Sequence, residues 1–114
     1  MANCGAGRCH IECEEGQGCG CIHEIEADRC TCECFESGGG AAGWNLHADA
    51  HVDVSIKHLP LGQVATMFDG VLAREVLVPA SRLDHKVHLD LERVPVSHAL
   101  KELGLPTRER AEAR

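Results

Sequence analysis

From residue 45 onward the hydrophobic positions keep a regular period. Between His51 and Lys57, Val52, Val54 and Ile56 alternate with polar residues, which predicts a half-buried strand. Pro60 then opens the stretch PLGQVATMFDGVL, in which Leu61, Val64, Ala65, Phe68 and Leu72 recur at helical spacing. A second strand is predicted around Glu75 to Val78. A third runs from Lys86 to Glu92, with Val87, Leu89 and Leu91 facing inward. Pro95 begins a last helix, PVSHALKEL, which buries Val96, Ala99, Leu100 and Leu103 and stops at Gly104. The predicted class is α+β: a small βαββα unit, its sheet covered on one face by two helices.

The first third of the chain has no such period. Residues 1–36 hold few large apolar side chains (Met1, Ile11, Ile22, Ile25, Phe35), too few to offset an ordering cost of roughly 1.5 kcal/mol per residue. They do hold all eight cysteines of the 114-residue chain. Metal ions or disulfides must therefore hold this part, and it is expected to be irregular. The division expected is a cysteine-rich module over 1–36, a Gly-rich linker over 37–44, the βαββα domain over 45–105 and a charged tail over 106–114. Trp44 is expected to pack at the domain edge or at the interface between the modules.

Charge and address bear on which staple is used. The chain carries a net charge of −7. Eight acidic and two basic residues fall within 1–36, so most of that charge lies among the cysteines. Carboxylates disfavour the thiolate, whereas a bound dication reverses the local field. The acidity thus suits cation binding better than redox catalysis, and no C-x-x-C dithiol occurs. No basic stripe is present for nucleic acid, and no apolar run reaches membrane-spanning length. The start MANCGAGRCH lacks a secretory signal pattern, which makes the cytoplasm the expected address, or the periplasm if a signal has been removed. In a reducing cytosol thiols hold metal more often than they cross-link.

The cysteine spacing fits that reading. Cys4, Cys9 and Cys13 are followed by the C-x-C pair Cys19 and Cys21 and by the C-x-C-x-C run Cys30, Cys32 and Cys34, with His10 and His23 interleaved. Extended, a C-x-C pair is separated by roughly 6.6 Å, near the upper limit for bonding to each other. Curled into a turn, the pair chelates one ion or bridges two. Eight thiolates fill two tetrahedral sites, and the histidines extend the ligand set. Soft sulfur selects Zn²⁺, with Cd²⁺ and Cu⁺ as alternatives, and the spacings do not match iron–sulfur runs. The expected ligands are Cys4, Cys9, Cys13, Cys19, Cys21, Cys30, Cys32, Cys34, His10 and His23, holding two or more zinc ions. In its short, cysteine-dense, aromatic-poor character, segment 4–34 resembles bacterial metallothioneins, which implies a metal store or chaperone.

Residues 52–105 resemble the short N-terminal domain of secretins and TonB-dependent receptors, and the related C-terminal domain of FecR-type regulators. The residues that carry the resemblance are Val52 through Ile56, the Leu59-Pro60-Leu61 run, Val64 and Leu72, Val87 through Leu91, and Pro95 through Leu100 with Leu103. The resemblance implies a domain without catalytic residues that makes protein–protein contacts at the bacterial envelope. No nucleophile elbow or triad order is visible.

The leading expectation is a non-enzymatic, zinc-thiolate-binding bacterial protein with an attached protein-interaction domain. Two alternatives stand beside it: a metallothionein-like store, and a secreted disulfide-rich module with an envelope docking domain. The expected partner is a protein bound through the βαββα domain, with homo-oligomers through edge strands also open. His47, Asp49, His51 and Asp53 alternate and would share one strand face as a secondary metal candidate. His85, His88 and His98 read as surface residues.

Overall fold

The computed structural model describes residues 2–36 and 42–109. The predicted linker and tail fall partly outside these, as does Met1.

A four-stranded antiparallel sheet organises the chain, in the order β4 (Arg29–Cys34), β3 (Cys19–Glu24), β5 (His51–Pro60), β7 (Lys86–Pro95). The alternation of Val52, Val54 and Ile56 sends these side chains to one face of β5, where all three are buried. They pack beneath α1 (Leu61–Val71) and α2 (Val96–Leu103). Phe68, Leu59, Leu61, Val64, Val71 and Val96 complete a core of fully buried side chains, each contributing about 1.5–3 kcal/mol by its removal from water. α1 follows directly from Pro60, whose φ is already set for the helix start. α2 ends at Gly104, where the backbone turns left-handed and the Leu105 N–H returns to the Leu100 carbonyl. Arg82 donates to the carbonyls of Leu103 and Gly104 at 3.1 and 3.3 Å, closing the same helix end.

The mixed strand-and-helix class is as expected, with two helices and a dominant sheet. Two details differ. β6 (Arg74–Val76) does not join the main sheet, but pairs with β8 (Thr107–Glu109), within the segment read as tail. The cysteine segment is not irregular. It forms two hairpins, β1 (Ala2–Ala6) with β2 (Cys9–Cys13), and β3 with β4. β3 pairs with β5 from Cys19 opposite Lys57 to Glu24 opposite Val52, so one sheet runs through both halves of the chain. Ile22 of β3 is wholly buried in the same core as Val54 and Phe68.

The face of the sheet turned away from the helices carries Cys19, Cys21 and His23 from β3, and Cys30, Cys32 and Cys34 from β4. The β1–β2 hairpin lies against it, burying Cys4, Ala6, Cys9 and Cys13. The result is three layers: helices, sheet, and a small cysteine-lined hairpin.

Candidate functional site

The eight cysteines form four disulfides: Cys4–Cys19, Cys9–Cys30, Cys13–Cys34 and Cys21–Cys32. In an extended strand, residues i and i+2 point to the same face. The C-x-C step of β3 and the C-x-C-x-C run of β4 therefore present five sulfurs to one face, and each bonds to a strand other than its own. Cys21 and Cys32 stand directly opposite in the β3–β4 register, their Cα atoms 4.1 Å apart. The other three bridges rivet the β1–β2 hairpin to β3 and β4, across Cα separations of 5.7–5.9 Å.

This overturns the zinc reading. Every sulfur is consumed in a covalent bond, no cysteine is free, and the thiolate needed as a ligand for Zn²⁺, Cd²⁺ or Cu⁺ does not exist. Among the described residues, no group of three or more His, Cys, Asp or Glu is arranged to hold a metal. The metallothionein-like store falls with it. His10, expected to join the ligand set, is exposed on β2 opposite Gly5. Four disulfides also belong to an oxidising, extracellular or periplasmic setting rather than the cytoplasm.

His23, the other expected ligand, has a different role. It is 9% exposed, and both ring nitrogens face carboxylates: Nδ1 lies 3.0 Å from Asp53 Oδ2, and Nε2 lies 2.7 Å from Asp28 Oδ1. Asp53 sits opposite His23 in the β3–β5 register and also accepts the Arg93 N–H at 2.9 Å. Asp28, in the β3–β4 turn, is held in addition by Arg8 of the β1–β2 turn. Gly7 makes the close approach of that turn possible: its φ is 59°, and a Cβ there would strike both His23 and Asp53. The Asp53 and Asp28 hydrogen bonds raise the His23 pKa above 6.5, outweighing burial. For Asp53, burial pushes upward, but His23 and the Arg93 N–H outweigh it and the pKa is lowered. His23 and then Arg8 lower that of Asp28. The cluster is an ionic clasp joining two hairpin turns to β5 and β7.

No family model, curated protein or solved structure matches this chain.

The other side-chain candidates are dispersed. Of the alternating set His47, Asp49, His51 and Asp53, only the last two lie in β5, and residues 47–50 form a turn closed by Ala50 N–H to His47 O at 3.1 Å. His85, His88 and His98 are exposed. Trp44 is half-buried, with the Arg29 guanidinium 4.9 Å above its ring.

One backbone feature remains. Among the described residues, the main sheet has two outer strands, β4 and β7, and β7 pairs only with β5. Over residues 86–92 it alternates between half-buried Val87, Leu89 and Leu91 and exposed Lys86, His88, Asp90 and Glu92. At its far end Arg93 adopts a positive φ of 51°, where the pairing with β5 is irregular. The sequence marked Lys86 to Glu92 as a strand but did not show that it would be the edge, because strand order depends on β3 filling the other side of β5.

Proposed function

We propose that this chain is a non-enzymatic interaction module of the cell envelope or exterior, and that it captures an extended polypeptide strand along β7. The observation that carries the reading is the open edge of β7. An edge strand presents a row of backbone N–H and C=O groups ready to pair with another chain, and alternating side chains then give specificity. The partner strand has its own alternation, with apolar residues continuing the Val87, Leu89, Leu91 row and charged residues on the opposite face. A binding role is further supported by the chemistry of the interior: the sulfurs are all bonded, and both nitrogens of the buried histidine are committed to carboxylates.

The strand–helix–strand–strand–helix order from β5 to α2 supports kinship with the short N-terminal domain of secretins and TonB-dependent receptors. That kinship, together with the disulfides, favours a periplasmic address and a role in docking at the envelope.

A displayed library of seven-residue peptides, selected against the oxidised full chain, tests the reading. Selected peptides are expected to alternate in hydrophobicity and to slow hydrogen exchange in β7. Peptides that bind while leaving β7 exchange unchanged would refute it.

A further inference from the structure

The pattern of β7 matches itself. We propose that a second copy of this chain occupies the edge, joined antiparallel through β7 about a two-fold axis at Leu89. This deepens, and rests on, the reading of β7 as a docking edge.

Two independent observations give that register. The first is the length of the regular run. β7 begins at Lys86, just after the short helical turn Ala80–Arg82. The register shift opposite Val87 and His88 is a bulge of β5 at His58, and the backbone of β7 itself turns to a positive φ only at Arg93, whose N–H is tied to the Asp53 carboxylate. Residues 86–92 contain no proline, glycine or positive φ, and Leu89 is their midpoint.

The second is charge. Antiparallel pairing about Leu89 sets Lys86 against the partner's Glu92 and His88 against the partner's Asp90, each occurring twice by symmetry. On the other face Val87 meets the partner's Leu91, and the two Leu89 side chains meet each other, so the half-buried apolar row continues across the junction. Moving the axis by one residue halves the match. An axis at Asp90 keeps His88 against the partner's Glu92 but sets Asp90 against itself and Lys86 against the partner's Val94. An axis at His88 keeps Lys86 against the partner's Asp90 but sets His88 against itself and leaves Glu92 beyond the partner's strand. Like charges directly opposite destabilise a pair, and opposite charges stabilise it. Lys86, His88, Asp90 and Glu92 are all exposed, including Lys86, whose ammonium lies 4.5 Å from the Phe35 ring centroid. The product is an eight-stranded sheet in which both cores lie on one side.

Sedimentation equilibrium of the oxidised full chain tests the proposal, using wild type, Lys86→Glu and Glu92→Lys. Wild type is expected to dimerise. Each reversal creates two like-charge pairs and should weaken dimerisation by on the order of tenfold to a hundredfold. An equimolar mixture of the two variants should recover wild-type affinity as a heterodimer. Opposite charges then face each other at both ends of the seam, the two substituted positions at one end and the native Lys86 and Glu92 at the other. That recovery also shows that both variants fold. A wild-type chain still monomeric at about 1 mM overturns self-pairing, whatever the peptide selection shows for β7. A dimer indifferent to both reversals, or a mixture no tighter than either variant alone, overturns β7 as its seam.

Discussion

Replacing His23 with leucine isolates the clasp between the hairpin layer and the sheet. The side chains of His23 and Asp53 are each 11% exposed, whereas Asp28 is 48% and Arg8 71% exposed. The Asp53 pair therefore dominates, since an exposed ion pair contributes about 0–1 kcal/mol. A hydrogen bond to a charged group contributes about 1.5–3 kcal/mol, and stranding a buried charge costs about 3–5 kcal/mol. Asp53 retains the Arg93 N–H after the substitution, so the lower part of that range applies: a loss of about 3 kcal/mol at pH 5.5.

The loss should depend on pH, with a sign fixed by the direction of each shift. The folded His23 pKa is raised above 6.5. Its contribution is thus complete below that value and fades as pH rises through the folded one. The cause is geometric. A neutral imidazole carries one N–H and can donate to only one of its two carboxylates, leaving a lone pair facing the other. The folded pKa values of Asp28 and Asp53 are lowered from 3.8, so their contributions are complete above that value and fade as pH falls through the folded ones. The clasp is strongest between about pH 4 and 6.5. Urea unfolding without reductant, on wild type, His23→Leu, Asp53→Asn and the double variant, measures the cost and the coupling. Urea leaves ion pairs unscreened, unlike guanidinium. The cost of His23→Leu should fall to about 1 kcal/mol at pH 9. A cost equal at both pH values, or larger at pH 9, would contradict the ionic reading.

Two further substitutions probe other parts of the frame. Gly18→Ala places a Cβ against the backbone carbonyl of His58, which cannot rotate aside, so a loss of about 1–3 kcal/mol is expected as a lower thermal midpoint. Removing the Cys9–Cys30 bridge by a double alanine substitution opens a link of 21 residues. It should cost about 3 kcal/mol, and the mass of the denatured wild type without reductant should be eight protons below that of the reduced chain.

The parts of the fold that the sequence showed clearly are those where burial imposes one period. β5, α1, β7 and α2 each set their apolar residues against a single neighbouring layer, and α2 stops at Gly104 as expected. β5, however, expected to be half-buried, is buried on both faces because the hairpin covers Asp53 and Ser55. β6 and β8 have three residues each, too few to show a period, and neither pairs with the main sheet. β3 was hidden for another reason. In Cys19-Gly20-Cys21-Ile22-His23-Glu24 only Ile22 marks the helix-facing side, while the opposite side is written in cysteine. Ligand chemistry and strand alternation both produce C-x-C. The deciding signal is parity: Cys19, Cys21 and His23 share one, and so do Cys30, Cys32 and Cys34, as residues of a single strand face must.

That parity also explains why the hairpin layer is built from sulfur. A sheet that buries one face under helices still has a second face, and here the cover is ten residues of β1 and β2. Ile11 is the one large aliphatic side chain in those strands, and it is only half-buried. Hydrophobic burial alone would not hold such a layer in place, whereas three bridges to β3 and β4 hold it without a larger core. The cover packs over β3, β4 and β5, and its bridges end on β3 and β4. β4 is thereby tied down by its own cysteines at one margin of the sheet. β7 lies at the other margin with no such tie, so of the two outer strands it is the one that no disulfide links to the hairpin layer.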